Sequence, residues 1–334
     1  MDFVHNAGLR LTGDALKKQL KNTYKGVGPC LYFGKEMFAK TGVPQGLVCC
    51  AHGGTSMDQW SPSLKDQGGK SLYGAWLRRY KKLGQKIAGI LWYQGESDAN
   101  EATAPSYTEK MVNLIKETRK DFGQPDLPWL IVQIGRVVSD AWIDKWWNSV
   151  REQQRLLVEH IKNVDVVPAI DLELDDMIHI SGRDNAILGK RLAVLADKLV
   201  LGRKTKGGIQ PLKAKPVAII KRPKPVRYGI EITFKNVDGK LCSPGRPAGF
   251  TTVDYNDRPM GSFFKVHLNG NKVFLETATS AEMVRAVYYG YGLNPFCNVT
   301  DERGMGIPAF GPLELTGIMG SSFLVNWLVD GPFE

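Results

Sequence analysis

The chain has 334 residues, 43% of them hydrophobic and 23% charged, which is enough material for two domains with buried cores and excludes disorder over long stretches. Its net charge of +10 is concentrated locally: Lys204, Lys206, Lys213, Lys215, Lys221, Arg222 and Lys224 fall between Arg203 and Arg227 with no acid among them. No nucleic-acid motif accompanies that run and no apolar stretch is long enough to span a bilayer, so neither nucleic acid nor membrane is expected as a partner.

The chain opens Met1-Asp-Phe-Val-His-Asn6, without a basic region leading into an apolar run, so no signal peptide is expected. Residues 43–51 (VPQGLVCCA) are a short apolar run ending in His52-Gly53-Gly54, the pattern of a buried strand entering a tight loop. Residues 71–83 have helical spacing. Residues 87–93 (IAGILWY) read as a second buried strand, ending in Gln94-Gly95-Glu96. An amphipathic helix over 107–122 follows, then a strand over 129–134 (WLIVQI) that runs into Gly135-Arg136. Residues 141–161 are helical, 164–171 (VDVVPAID) form a fourth strand, and a helix over 185–201 closes this half. Short apolar strands alternating with helices predict a parallel sheet with helices on both faces. Residues just past those strands then stand at the carboxyl edge, where such folds place their sites.

The pattern changes after residue 201. Residues 202–225 are rich in Lys, Pro and Gly and read as a linker. Alternating segments at 229–234, 261–268, 272–276 and 284–289, punctuated by Gly and Asn, predict an antiparallel β-domain. The expected organisation is an α/β domain over 1–202, a basic linker over 203–227 and a β-rich domain over 228–334. The five cysteines, at 30, 49, 50, 242 and 297, lack the paired spacing of a zinc site. Cys49 and Cys50 read as small buried residues, and a pairing of Cys242 with Cys297 stays open.

The strongest chemical signal is Asp175-Asp-Met-Ile-His179. A carboxylate three residues before a histidine can fold back onto Nδ1–H and leave Nε2 free as a base. Asp176 has that spacing and Asp175 does not. Gly53 and Gly54 allow a backbone N–H to approach a substrate closely, and Gln94 offers a side-chain amide at a strand end. Together these are the parts of an oxyanion hole. Glu96 is expected to support that loop.

Gly53-Gly-Thr-Ser56 followed by Trp60, the stretch Leu91-Trp-Tyr-Gln-Gly-Glu-Ser-Asp98, and Asp176-x-x-His179 with Leu188-Gly-Lys-Arg-Leu-Ala193 resemble the sialate O-acetylesterase and acetylxylan esterase families of SGNH hydrolases. Residues 284–310 resemble the β-domain end of sialate O-acetylesterases. The resemblance implies an SGNH-type α/β sheet with helices on both faces, plus a C-terminal antiparallel β-domain. It implies hydrolysis of acetyl esters on an acetylated carbohydrate, with no metal or organic cofactor, in a secreted or periplasmic setting. His179 would be the general base, Asp176 its orienting partner, and Gly53, Gly54 and Gln94 the oxyanion donors. By position, Trp60 could stack on a sugar ring, and Arg136 or Lys145 could meet a sugar carboxylate. These families carry their nucleophile in a Gly-Gln-Ser-Asn-Met motif upstream of Gly-Gly-Thr, yet not one serine precedes Gly53 here. Three readings stand: the first strand and its serine are lacking, the chain is a catalytically inactive carbohydrate-binding homologue, or Ser56 is the nucleophile. The oligomeric state stays open.

Overall fold

The computed structural model describes residues 27–219, 227–278 and 281–316. Helix α1, Pro29–Thr41, is bounded by its own chemistry: Pro29 sits in the first turn, and Gly42 at φ 70° ends it in the left-handed conformation. The sequence reading passed over this helix. In α2, Leu72–Leu83, the Ser71 hydroxyl accepts from Gly74 N–H, and Gly84 at φ 64° closes the far end. Helices α3 (Tyr107–Asp121), α4 (Asp144–His160) and α5 (Asp184–Leu199) follow the expected amphipathic spacing.

Strands β1 (Ile90–Tyr93), β2 (Trp129–Gln133) and β3 (Val164–Pro168) form a parallel sheet in the order β1-β2-β3. Every residue of β2 and β3 is buried, as parallel strands covered on both faces require. The two-residue period of β2 sorts its side chains between two cores. Trp129 and Ile131 join Tyr73, Leu77, Met111 and Trp147 from α2, α3 and α4. Leu130 and Val132 join Met37 of α1, Leu188 and Leu192 of α5, and apolar residues of the C-terminal β-domain.

Residues 43–51 do not form the expected buried strand. They take no regular structure, and Val43, Leu47 and Val48 are 58%, 43% and 50% exposed. The reason lies in the ladder: an apolar extended segment becomes a strand only beside a partner. Among the described residues nothing pairs with this segment or with the outer edge of β1. Cys49 is accordingly exposed and Cys50 half-buried, not core residues, and all five cysteines are free thiols.

The stretch expected as a basic linker contains a strand. Strand β4, Gln210–Ile219, runs antiparallel to β5, Arg227–Lys235. Ala214 and Val217 face the core, while Lys215 meets the buried Glu231 carboxylate at 3.5 Å and Lys272 meets it at 3.2 Å. Lys215, which reads as linker charge, thus pairs across strands. Lys221, Arg222 and Lys224 lie outside the described residues. The remaining strands are β6 (Leu241–Cys242), β7 (Phe250–Val253), β8 (Pro259–Met260), β9 (Phe263–Asn269), β10 (Lys272–Thr277), β11 (Ala286–Tyr289), β12 (Thr300–Asp301) and β13 (Phe310–Glu314). They build antiparallel sheets in the orders β4-β5-β10-β9 and β13-β11-β7-β8, with a small β12-β6 pair. Among the described residues no helix is long and apolar enough to cross a membrane.

Buried polar ties join the two halves. The Gln133 amide, at the end of β2, donates to Ala309 O and accepts from Ala309 N–H, both at 2.8 Å. Arg191 of α5 meets Asp171 through two bonds of 2.7 and 2.5 Å and also donates to Pro168 O and to Gly304 O of the β-domain. Both side chains of that ion pair are buried. Arg191→Leu leaves Asp171 without its cation in a dry interior, and the expected loss of stability is about 3–5 kcal/mol. Urea denaturation followed by tryptophan fluorescence measures it; a loss below 1 kcal/mol would show the pair to be dispensable.

Candidate active site

Past β3 the chain makes a tight hairpin. Ser181 N–H donates to Glu173 O at 2.8 Å, Asp175 N–H donates to His179 O at 3.0 Å, and Leu174 and Ile180 form a bridge between the arms. At its tip Asp176 Oδ1 accepts from His179 N–H at 2.7 Å and from Ile178 N–H at 2.9 Å. Its second oxygen, Oδ2, lies 2.7 Å from His179 Nδ1. The two backbone donors, followed by the imidazole, draw the Asp176 carboxyl down to about 2. It therefore stays an anion at any ordinary pH, keeps the imidazole proton on Nδ1 and leaves Nε2 as a lone-pair donor. Asp175 instead accepts from Gly182 N–H at 2.8 Å and does not reach the imidazole. The pair stands in the open, with the His179 side chain 79% exposed and that of Asp176 52% exposed.

The glycine loop lies beside the end of β1. Thr55 Oγ1 donates to His52 O at 2.8 Å and closes it, and Gly54 takes φ 67°. Gly53 and Gly54 are exposed, and their N–H groups take no partner among the described residues. Gln94 is buried, and its amide donates to Thr55 O at 3.0 Å and to Asp98 Oδ2 at 2.5 Å. Both amide hydrogens are thus committed: Gln94 ties the glycine loop to β1 and must release a bond before it can serve an oxyanion. Asp98 also accepts from Met57 N–H. Burial raises its carboxyl above the usual range although these donors pull the other way. Gly95, at φ 150°, passes so close to α4 that a Cβ would meet Gln154 Nε2 at 2.7 Å. Glu96 is half-buried; desolvation raises its carboxyl, while its own backbone N–H and His179 lower it, so the carboxyl and the imidazole share one electrostatic neighbourhood.

Trp60 does not offer a sugar platform. It is 4% exposed, its indole N–H donates to Thr55 Oγ1 at 2.9 Å, and its ring packs edge-on to Trp76 and Trp92. It fills core because a nearby hydroxyl satisfies its one donor. Ser56 N–H donates to Gln59 Oε1 at 3.0 Å, and no hydrogen bond joins Ser56 to His179. Arg136 spends three N–H groups within the protein, on Leu172 O at 3.3 Å, Asn294 Oδ1 at 2.9 Å and Glu173 Oε2 at 2.7 Å. Lys145 lies over the Trp146 ring, 4.3 Å from its centre. Among the described residues no group of three or more His, Cys, Asp and Glu side chains could hold a metal ion.

Sequence reasoning missed Arg151. It is buried on α4, donates to Gly135 O, Gly290 O, Gly292 O and Leu293 O, and faces no carboxylate in direct contact. Burial lowers its guanidinium to about 9. The signal was present in the spacing: Asp144, Asn148 and Arg151 recur on one helix face, and all three bond to residues 290–293.

The sequence model of the family described as carbohydrate esterase, sialic acid-specific acetylesterase, matches residues 8–198. A probable carbohydrate esterase of Arabidopsis thaliana is 36% identical over 176 residues, which cover 50% of this chain and 62% of that protein. The human sialate O-acetylesterase is 27% identical over 265 residues, covering 67% of this chain and 50% of that protein. The chain thus spans about half the length of the curated relatives it matches. Among solved structures, a carbohydrate acetylesterase from Xanthomonas citri superposes with a TM-score of 0.68 at 23% identity, covering 84% of this chain and 64% of that one. That likeness bears on the fold.

The Asp176–His179 bond makes a measurable claim. In Asp176→Asn an amide N–H₂ can replace the accepting oxygen beside Nδ1, which moves the ring proton to Nε2. Nitrogen-15 spectra of labelled histidine are expected to show the Nδ1–H form in the parent chain and the Nε2–H form in the variant. The same tautomer in both would mean that the carboxylate does not hold the ring in solution.

Proposed function

Since this chain belongs to the sialic acid-specific acetylesterase family of carbohydrate esterases, we propose that its site serves serine-type acyl transfer from acetylated carbohydrate. The observation that carries the reading is the 2.7 Å contact between Asp176 Oδ2 and His179 Nδ1, with Nε2 turned to solvent at the carboxyl edge of the sheet. In the proposed reaction a serine Oγ attacks the acetyl carbonyl while His179 Nε2 takes its proton. The N–H groups of Gly53 and Gly54, without a partner among the described residues, are suited to the oxyanion, and losing one such donor costs on the order of 100-fold in turnover. The tetrahedral adduct then collapses. His179 returns the proton to the departing sugar oxygen, and water, deprotonated by the same imidazole, releases acetate and the serine.

The nucleophile divides the readings. Ser56 lies on the glycine loop without a bond to His179, which disfavours it. The outer edge of β1, unpaired among the described residues, and the exposed apolar residues Val43, Leu47 and Val48 favour a serine supplied on a further parallel strand from outside this sequence. On that reading this chain holds the base and the oxyanion donors, and it binds acetylated sugar without turning it over. A catalytically inactive carbohydrate-binding protein is the alternative.

Extending the chain at its N-terminus by an apolar strand ending in Gly-Gln-Ser-Asn-Met separates them. The expected outcome is acetate release from an O-acetylated sugar by the extended chain alone, serine labelling by a fluorophosphonate in the added motif, and loss of both rate and labelling in His179→Ala. An extended chain that binds the sugar but stays inert would favour the binding protein. Fluorophosphonate labelling of Ser56 in the parent chain would move the nucleophile there.

A further inference from the structure

The hairpin that bears His179 is joined to the β-domain through the segment that follows β2. Three stretches of chain lie side by side. Residues 290–294 belong to the β-domain, 135–138 follow β2, and 172–181 carry the acid–base pair. Val137 N–H donates to Leu293 O at 2.9 Å, and Val138 N–H donates to Met177 O at 2.8 Å, one residue past Asp176. The Arg136 guanidinium bridges the outer two stretches, holding Asn294 Oδ1 on one side and Leu172 O and Glu173 Oε2 on the other. The β-domain end is fixed in turn by α4. Asp144 Oδ1 accepts from Leu293 N–H at 2.8 Å, Asn148 Oδ1 accepts from Gly292 N–H at 3.1 Å, and Arg151 donates to three carbonyls of the same loop.

We infer that residues 290–294 and Arg136 form a positioning device for the catalytic histidine, through which the β-domain sets where the His179 hairpin stands against the glycine loop. The inference rests on His179 as general base and gives Arg136 a duty other than meeting a sugar carboxylate. The geometry within the Asp176–His179 pair needs no such help, because the two residues are three apart and bond locally. The place of the hairpin as a whole is set from outside it. Its base is tied to α5, where Glu173 N–H donates to Asp184 Oδ2 and the Asn185 amide donates to Ile180 O and Ser181 O, and among the described residues the Arg136 and Val138 contacts named above are the hydrogen bonds that bind it toward β2 and the β-domain. An arginine suits this duty and a lysine does not, since one planar fork can hold three acceptors at fixed angles. A base must be held within a fraction of an ångström of its working position, so a loose hairpin would spoil the site without unfolding the protein.

The test uses the parent chain and needs no turnover. Amide hydrogen exchange over 173–181 is measured in Arg136→Gln, Asn294→Ala and Arg136→Lys, together with thermal unfolding and the nitrogen-15 signature of the His179 ring. Exchange about tenfold faster in that segment is expected in the Gln and Ala variants, with the unfolding midpoint and the exchange of β2 unchanged. Arg136→Lys is expected to recover the Glu173 contact alone and to stay fast, while the Nδ1–H signature persists in all three. Unchanged exchange over 173–181 in both Arg136→Gln and Asn294→Ala would overturn the proposal, as would full recovery by lysine. Should Arg136→Gln fail to fold, Asn294→Ala decides the matter, because it removes a single acceptor at an exposed contact. If the strand-extended chain proves inert, the acetylesterase reading falls while the exchange result still stands or fails by itself.

Discussion

A parallel strand buried on both faces leaves only its ends free for chemistry, and the molecule is arranged around that constraint. Every residue of β2 is buried, Trp129 and Ile131 toward α2, α3 and α4, Leu130 and Val132 toward α5 and the β-domain. With the faces shut, the backbone can open only where the strands stop. Gln94 follows β1, Gly135 and Arg136 follow β2, and the His179 hairpin follows β3. These three strand ends stand along one edge of the sheet because parallel strands all run the same way.

The second core face raises a different problem. A β-domain laid over a sheet must also satisfy the polar groups it buries there. The structure meets this with side chains that imitate backbone. The Gln133 amide pairs with Ala309 as a neighbouring strand would. Arg191 joins Asp171 to Gly304 O, and Arg151 gathers carbonyls from both sides of the boundary. Carbonyl dipoles cannot match a carboxylate as partners for a cation, which is why burial draws the Arg151 guanidinium down to about 9. At neutral pH it remains protonated and keeps its grip. Such ties fix orientation more than they add stability, since each charge was costly to bury in the first place.

What could be read from the sequence follows from how local each feature is. The helices over 72–83, 107–121, 144–160 and 184–199 declare themselves through spacing, which is a property of the segment alone. The Asp176–His179 pair is legible for the same reason, being closed by residues three apart. Residues 43–51 mislead because strand identity belongs to a pair of segments, and apolar composition says nothing about whether the partner is in place. Lys215 misleads in the opposite way: a charge that looks solvated in one dimension finds Glu231 across a ladder that only pairing reveals. Trp60 misleads through its position after a glycine loop, whereas the Thr55 hydroxyl five residues earlier satisfies its indole N–H and lets it be buried.

The most legible feature of the site is also the least telling about turnover. A carboxylate and an imidazole three residues apart bond wherever a short turn allows, and in solvent such a contact is worth little. His179 stands 79% exposed. Water there competes for Nε2, screens the Asp176 charge and offers any developing oxyanion a solvation that the protein need not supply. The carboxylate–imidazole contact therefore gains electrostatic weight only where water is kept from it. The Gly53 and Gly54 N–H groups, without a partner among the described residues, are in the same position, since a donor left to water gains little by turning to another acceptor in water.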